Sequence, residues 1–181
     1  MFLAALIMGS LAAKLKSHAR ESAQVAYRTK ILFDTNQLLQ KAAGKEEIFS
    51  ATAGQLAKLL HKNILLYPAE NGELSKPVYF PSGAGAEPDT LQWETERNVA
   101  EWAYQNNKHA GATTDTFSNA RYMYLAIRLG INVYGVAGIE TGENPLEVSE
   151  NSMLLSILGE CALALENEKN AAEKEAAAIA A

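Results

Sequence analysis

The chain has 181 residues, 48% of them apolar, which suits one domain with appendages and a sizeable core. Its formal charge of -5 comes from 16 basic and 21 acidic residues with no basic cluster, so the electrostatic footprint of nucleic-acid binding is absent. A single cysteine, Cys161, excludes an intrachain disulfide framework and points to a reducing compartment.

The chain opens on an apolar run, Phe2 to Ala13, that stops at Lys14. Crossing a bilayer takes about 20 apolar residues, so this run cannot span one alone. Lys14, Lys16 and Arg20 follow it in the arrangement expected on the cytoplasmic side of a membrane helix. Residues 1–13 are therefore expected to be the remnant of a transmembrane helix. Residues 14–42, without proline or glycine, are expected to form a helix leading into the domain. A 3-4 alternation runs through Met8, Leu11, Leu15, His18, Ser22, Val25, Thr29, Leu32, Asn36 and Leu39. This seam is poor, because His18, Ser22, Thr29 and Asn36 are polar. It reads either as a signalling helix pairing with its copy in a dimer, through Leu15, Ser22, Val25, Thr29, Leu32 and Asn36, or as an ordinary surface helix. The dimer is favoured, although polar seam positions weaken a coiled coil while fixing its register or leaving it switchable.

Gly44 breaks the pattern and a second helix is expected from Lys45 to His61. Ile64 to Tyr67 predicts a short strand ended by Pro68 and the Glu70-Asn71-Gly72 turn, and Leu74 to Phe80 a second, weakened by Pro77. Pro81 to Thr90 reads as a flexible loop, with Asp89 and Gln92 as a capping box for the helix that starts at Trp93.

Glu96 to Glu140 organises the rest. Val99, Trp102 and Ala103 share one helical face, Asn106 and Asn107 are natural helix-end residues, and Gly111 opens a loop. Arg121 to Arg128 and Ile131 to Glu140 read as two strands of a hairpin that reverses at Gly130 and Asn132. A long final helix starts near Leu146, with Met153, Leu154, Ile157, Leu158, Cys161 and Leu165 on its apolar face. Cys161 is thus a small core hydrophobe. Residues 43–166 form the expected domain, and residues 167–181 an outgoing helix or linker. The element order predicts an α+β fold with an antiparallel sheet, helices packed mainly on one face and long terminal helices, as in GAF or PAS-like sensor domains.

The succession VAEWAY, AG, TDT, ARYMYLAIR and VYGVAGIE, best between Val99 and Glu140, resembles the GAF-type cytoplasmic domain of KdpD sensor kinases, bacterial histidine kinases that respond to potassium and osmolarity. The resemblance implies a membrane module before the domain, and dimerisation and phosphoacceptor helices after it. It implies a homodimer at the cytoplasmic face of the membrane. It also implies signalling to a response regulator only through downstream kinase modules of the same polypeptide, so this stretch carries no kinase activity itself.

Chemistry is sparse. His18, His61 and His109 lie far apart, so no metal site is expected, and there is no Walker loop, GxGxxG, GxSxG or HExxH. No cofactor is expected either. The signatures of cyclic-nucleotide GAF domains, the bilin-attaching cysteine of phytochrome-like ones and the several cysteines of the methionine sulfoxide reductases of this fold are all missing. The remaining candidate is the loop Thr113, Thr114, Asp115 and Thr116, with Tyr122 and Tyr124 on the following strand and Trp102 on the preceding helix, as a small-molecule pocket. The plainer reading, favoured on turn chemistry, is that these hydroxyls and the carboxylate satisfy loop amides.

Overall fold

In the computed structural model residues 2–83 and 93–180 are described. The capping pair Asp89 and Gln92, and the predicted loop beyond Gly83, lie outside them. The elements are α1 (Phe2–Lys41), α2 (Lys45–Leu60), β1 (Ile64–Glu70), β2 (Glu73–Leu74), β3 (Val78–Phe80), α3 (Trp93–Asn106), β4 (Ala110–Gly111), β5 (Met123–Leu129), β6 (Asn132–Ile139) and α4 (Val148–Ala180).

Six strands form one antiparallel sheet in the order β2-β1-β6-β5-β4, with β3 also paired to β1. β2 and β3 share one edge of β1: β3 pairs with Ile64 to Leu66 and β2 with Ala69 and Glu70. Between them Pro77 has no N–H to give a ladder, so the predicted single strand from Leu74 to Phe80 is two short ones. β1 is longer than expected. It does not end at Pro68, which stays in register with Gly135 of β6 while its carbonyl takes the Ser75 amide at 2.8 Å. β5 and β6 turn at Gly130 and Ile131, and Gly130 takes a φ of 60° at the first central position of the turn.

Alternation along the strands sends side chains to two faces. Ile64, Leu66, Leu125, Ile127, Ala137 and Ile139 face α1, α2 and α4, forming the larger core with Phe49, Leu56, Leu154, Ile157 and Cys161. Leu65, Tyr67, Tyr122, Tyr124 and Val136 face α3, which buries Val99, Ala100 and Ala103 against them. The domain is thus α+β, with three helices on one face and one on the other.

The two long helices run parallel. Arg28 of α1 reaches Ser149 of α4 at 2.8 Å, and Asn36 reaches Glu160 at 3.1 Å, so both chains advance in the same direction along their contact. Ile31, Thr35 and Leu39 are the α1 residues buried there, and the Thr35 hydroxyl is returned to the Ile31 carbonyl at 2.7 Å. Phe2 to Tyr27 extends past the start of α4 by roughly 40 Å at 1.5 Å per residue. At the other end α4 continues to Ala180 with no buried residue after Leu165 among those described. α1 is one continuous helix through the boundary expected near Lys14. Among the described residues α4 is the one helix with the length and apolarity of a membrane span, and its apolar face is spent in the core.

Candidate functional site

The link from α3 to β5 is built by turn chemistry. Gly111 holds a φ of 94°, where a Cβ would drive into the Tyr122 carbonyl. Its amide donates to the Thr116 carbonyl at 2.7 Å, and the Thr114 amide to the Gly111 carbonyl at 3.1 Å. The Thr114 hydroxyl lies 2.8 Å from the Gly111 carbonyl and 2.9 Å from that of Thr116, and accepts the Thr116 amide at 3.2 Å. Thr113 places its hydroxyl 3.9 Å from the sulfur of Met123. Asp115 is exposed and Thr116 half-buried. Trp102, also half-buried, meets Phe117 edge to face with ring centroids 6.0 Å apart.

Tyr122 and Tyr124 lie together under α3, ring centroids 6.1 Å apart, and Tyr67 packs against Tyr124 at 6.3 Å. The structure joins them to a residue not singled out in the sequence, Glu96, which is only 6% exposed. Its carboxylate accepts the Tyr124 hydroxyl at 2.7 Å and the Arg121 amide at 2.7 Å. Glu96 sits in the first turn of α3, where the helix dipole favours a negative charge. A signal for it existed, since Glu96, Val99, Ala100 and Ala103 fall at i, i+3, i+4 and i+7, placing Glu96 on the buried stripe. Burial, followed by the Glu96 charge, pushes the Tyr67 phenol up to about 12. Burial and the neighbouring Tyr67 and Glu96 push Tyr124 far above the ordinary phenol range.

A cleft of about 530 Å³ opens beside the Glu96–Tyr124 pair. Glu96 and Val99 line it from α3, Phe117 and Ala120 from the link, and Asn119 and Arg121 from its rim. Arg121 is not a loose charge, because its guanidinium is paired with Glu140, which also holds the Asn63 amide. Of the sequence-predicted residues, Tyr124 reaches Glu96 at the cleft and Trp102 touches Phe117, while Thr113 to Thr116 lie in the loop just before it. Among the described residues no three His, Cys, Asp or Glu side chains converge as a metal site would require.

In the incoming helix, the predicted pairing seam divides. Leu15, Ser22, Val25 and Thr29 are exposed, whereas Leu32 packs against the larger core and Asn36 is engaged by Glu160 within the same chain.

No family model matches the chain. Over 81% of its length, however, it superposes on 98% of the GAF domain of the potassium sensor histidine kinase KdpD from Escherichia coli, with a TM-score of 0.60 and 22% identity. This chain has a GAF fold. In sequence the domain is similar to the sensor protein KdpD of Clostridium acetobutylicum, 29% identical over 176 residues that make up 97% of this chain. It is 27% identical over 157 residues to the sensor protein KdpD of Escherichia coli, covering 86% of this chain. The GAF domain described here spans 20% and 17% of those two proteins. Its homologues are therefore KdpD sensor proteins, matched over one segment of each.

Proposed function

We propose that the chain is the regulatory GAF domain of a two-component sensor histidine kinase of KdpD type, acting in a potassium or osmotic response. It relays a membrane-side change through paired terminal helices to downstream kinase modules of the same polypeptide, which carry the phosphoryl chemistry and the contact with a response regulator. In this reading the domain catalyses nothing, works as a homodimer and lies at the cytoplasmic face of the membrane, with residues 1–13 nearest the bilayer.

The observation that carries the reading is the parallel clasp of α1 and α4 at Arg28–Ser149 and Asn36–Glu160. One helix comes in on one side, the other leaves on the opposite side, and both rest on the same core, so a shift or rotation of α1 has a rigid route into α4. The exposed Leu15 and Val25 leave apolar positions on α1 for a second copy.

The test is a chimera in which this chain replaces the GAF domain of the Escherichia coli KdpD protein, read by potassium-dependent autophosphorylation. The expected result is retained regulation. Inserting two residues after Ala171, which rotates the outgoing helix by about 200°, should lock or scramble the output, whereas inserting seven, a full heptad, should restore it. Equal responses to the two insertions would refute a helical relay.

The cleft at Glu96, Phe117 and Arg121 favours a second reading, a small-molecule receptor whose pocket adjoins Thr113 to Thr116. A metabolite that raises the melting temperature of the wild type but not of Asp115→Ala would support the loop as its site. A shift lost instead in Asn119→Ala would move the site into the cleft.

A further inference from the structure

Where α3 ends, the chain must cross the edge of the sheet to reach β4. Asn107, in the left-handed region at a φ of 50°, makes that turn and sets Asn107, Lys108 and His109 side by side on the rim of a second cavity, of about 220 Å³. Arg128, at the end of β5 just past the irregularity between Ile127 and Arg128, lines the same cavity from the other side. Its floor is the apolar junction of Leu125 and Leu158.

A lysine, an arginine and an imidazole therefore line one cavity whose width is comparable to the Debye length, about 8 Å at physiological salt, so their charges act on it together. Among the described residues the side chains of Lys108, His109 and Arg128 form no ion pair or hydrogen bond, and the cavity lining contributes no carboxylate. The acid closest in sequence to the α4 part of the lining, Glu160, is turned to α1, where it holds Asn36. In a chain of net charge -5, this is a local concentration of uncompensated positive charge over an apolar floor.

We propose that the cavity bounded by Asn107, Lys108, His109 and Arg128 is a binding site for a phosphate-class oxyanion. The Arg128 guanidinium would grip two oxygens in its planar fork, Lys108 would supply a second charge, and the Asn107 and His109 N–H groups would donate to the rest. A cavity of this size matches inorganic phosphate or a short phosphorylated metabolite. The site is separate from the cleft at Glu96 and does not depend on the helical relay.

The experiment titrates the 181-residue chain with inorganic phosphate and with glycerol 3-phosphate against chloride at matched ionic strength, following amide shifts at residues 107–109, 126–128 and 155–159. Saturable shifts confined to those residues are expected, weakened at least about tenfold in Lys108→Gln/Arg128→Gln, on the strength of charge-assisted hydrogen bonds. They should be unchanged in the surface control Lys174→Gln. Sedimentation with phosphatidylglycerol vesicles separates the sources. Vesicle binding lost in the double variant assigns the phosphate chemistry to a lipid headgroup, and soluble-anion shifts without vesicle binding assign it to a free metabolite. No saturable shift in any arm, the same shifts in chloride, or full retention in a folded double variant would overturn the proposal.

Discussion

The hydroxyl of Tyr124 donates to the carboxylate of Glu96 at 2.7 Å, between two residues 28 positions apart that are almost entirely buried. A buried carboxylate is tolerated there because a backbone amide and a phenol satisfy it at the positive end of α3. Glu96→Ala is expected to lower stability by about 1–3 kcal/mol, since it strands the Tyr124 hydroxyl and the Arg121 amide. Glu96→Gln should cost clearly less, because its carbonyl can take the amide and its NH2 can donate to Tyr124. Urea midpoints for both variants check this, and equal losses would show that the charge itself is required.

Gly138 is the cross-strand partner of Tyr124, and a Cβ there would sit 2.5 Å from the Tyr124 ring. The ring cannot move aside without giving up Glu96. Gly138→Ala is expected to cost about 1–3 kcal/mol by overpacking. A double-mutant cycle with Tyr124→Leu should return part of that loss. Strictly additive effects would mean that the ring yields without cost.

Val25 and Leu32 both belong to the predicted pairing seam, but only Val25 is exposed. Val25→Asp should therefore convert a dimeric chain to a monomer by light scattering while shifting the unfolding free energy by no more than about 0.5 kcal/mol. Leu32→Asp should damage both association and folding. A wild-type chain that scatters as a monomer at high concentration would remove the pairing altogether.

Alkali should destabilise the domain. Burial pushes the Cys161 thiol from 9.0 up to about 12, and the Tyr67 phenol from 10.0 up to about 12. Both groups hold their proton more tightly when folded. Their contribution is fully present below about pH 9 and is lost as pH rises toward 12, where the unfolded chain binds fewer protons than the folded one. Urea midpoints at pH 7, 9 and 10.5 should fall over the upper interval, and Cys161→Ala should flatten that fall even though it lowers the midpoint at pH 7. A pH-independent midpoint up to 10.5 would contradict the burial of these groups.

Sequence alone determined what depends on neighbours within a few residues. The periodicity of Met153 to Leu165 predicts α4, Gly44 marks the break after α1, the Gly130 turn predicts the β5–β6 hairpin, and the position of Cys161 places it in the core. The fold class followed from the order of those elements. Tertiary structure decided whatever depends on residues far apart in the chain. Pro68 looks like a strand end until β6 lies beside it and Ser75, just past β2, donates to its carbonyl, and Glu96 looks like an ordinary first-turn acid until Tyr124 is brought over it. The parallel clasp of α1 on α4 joins residues more than 120 positions apart, and Arg128 and Lys108 line one cavity only once the chain has folded. Local pattern encodes which face of an element is apolar. Which charges and hydroxyls end up sharing that buried space is set by packing between elements, because only there are they removed from water and made to answer to one another.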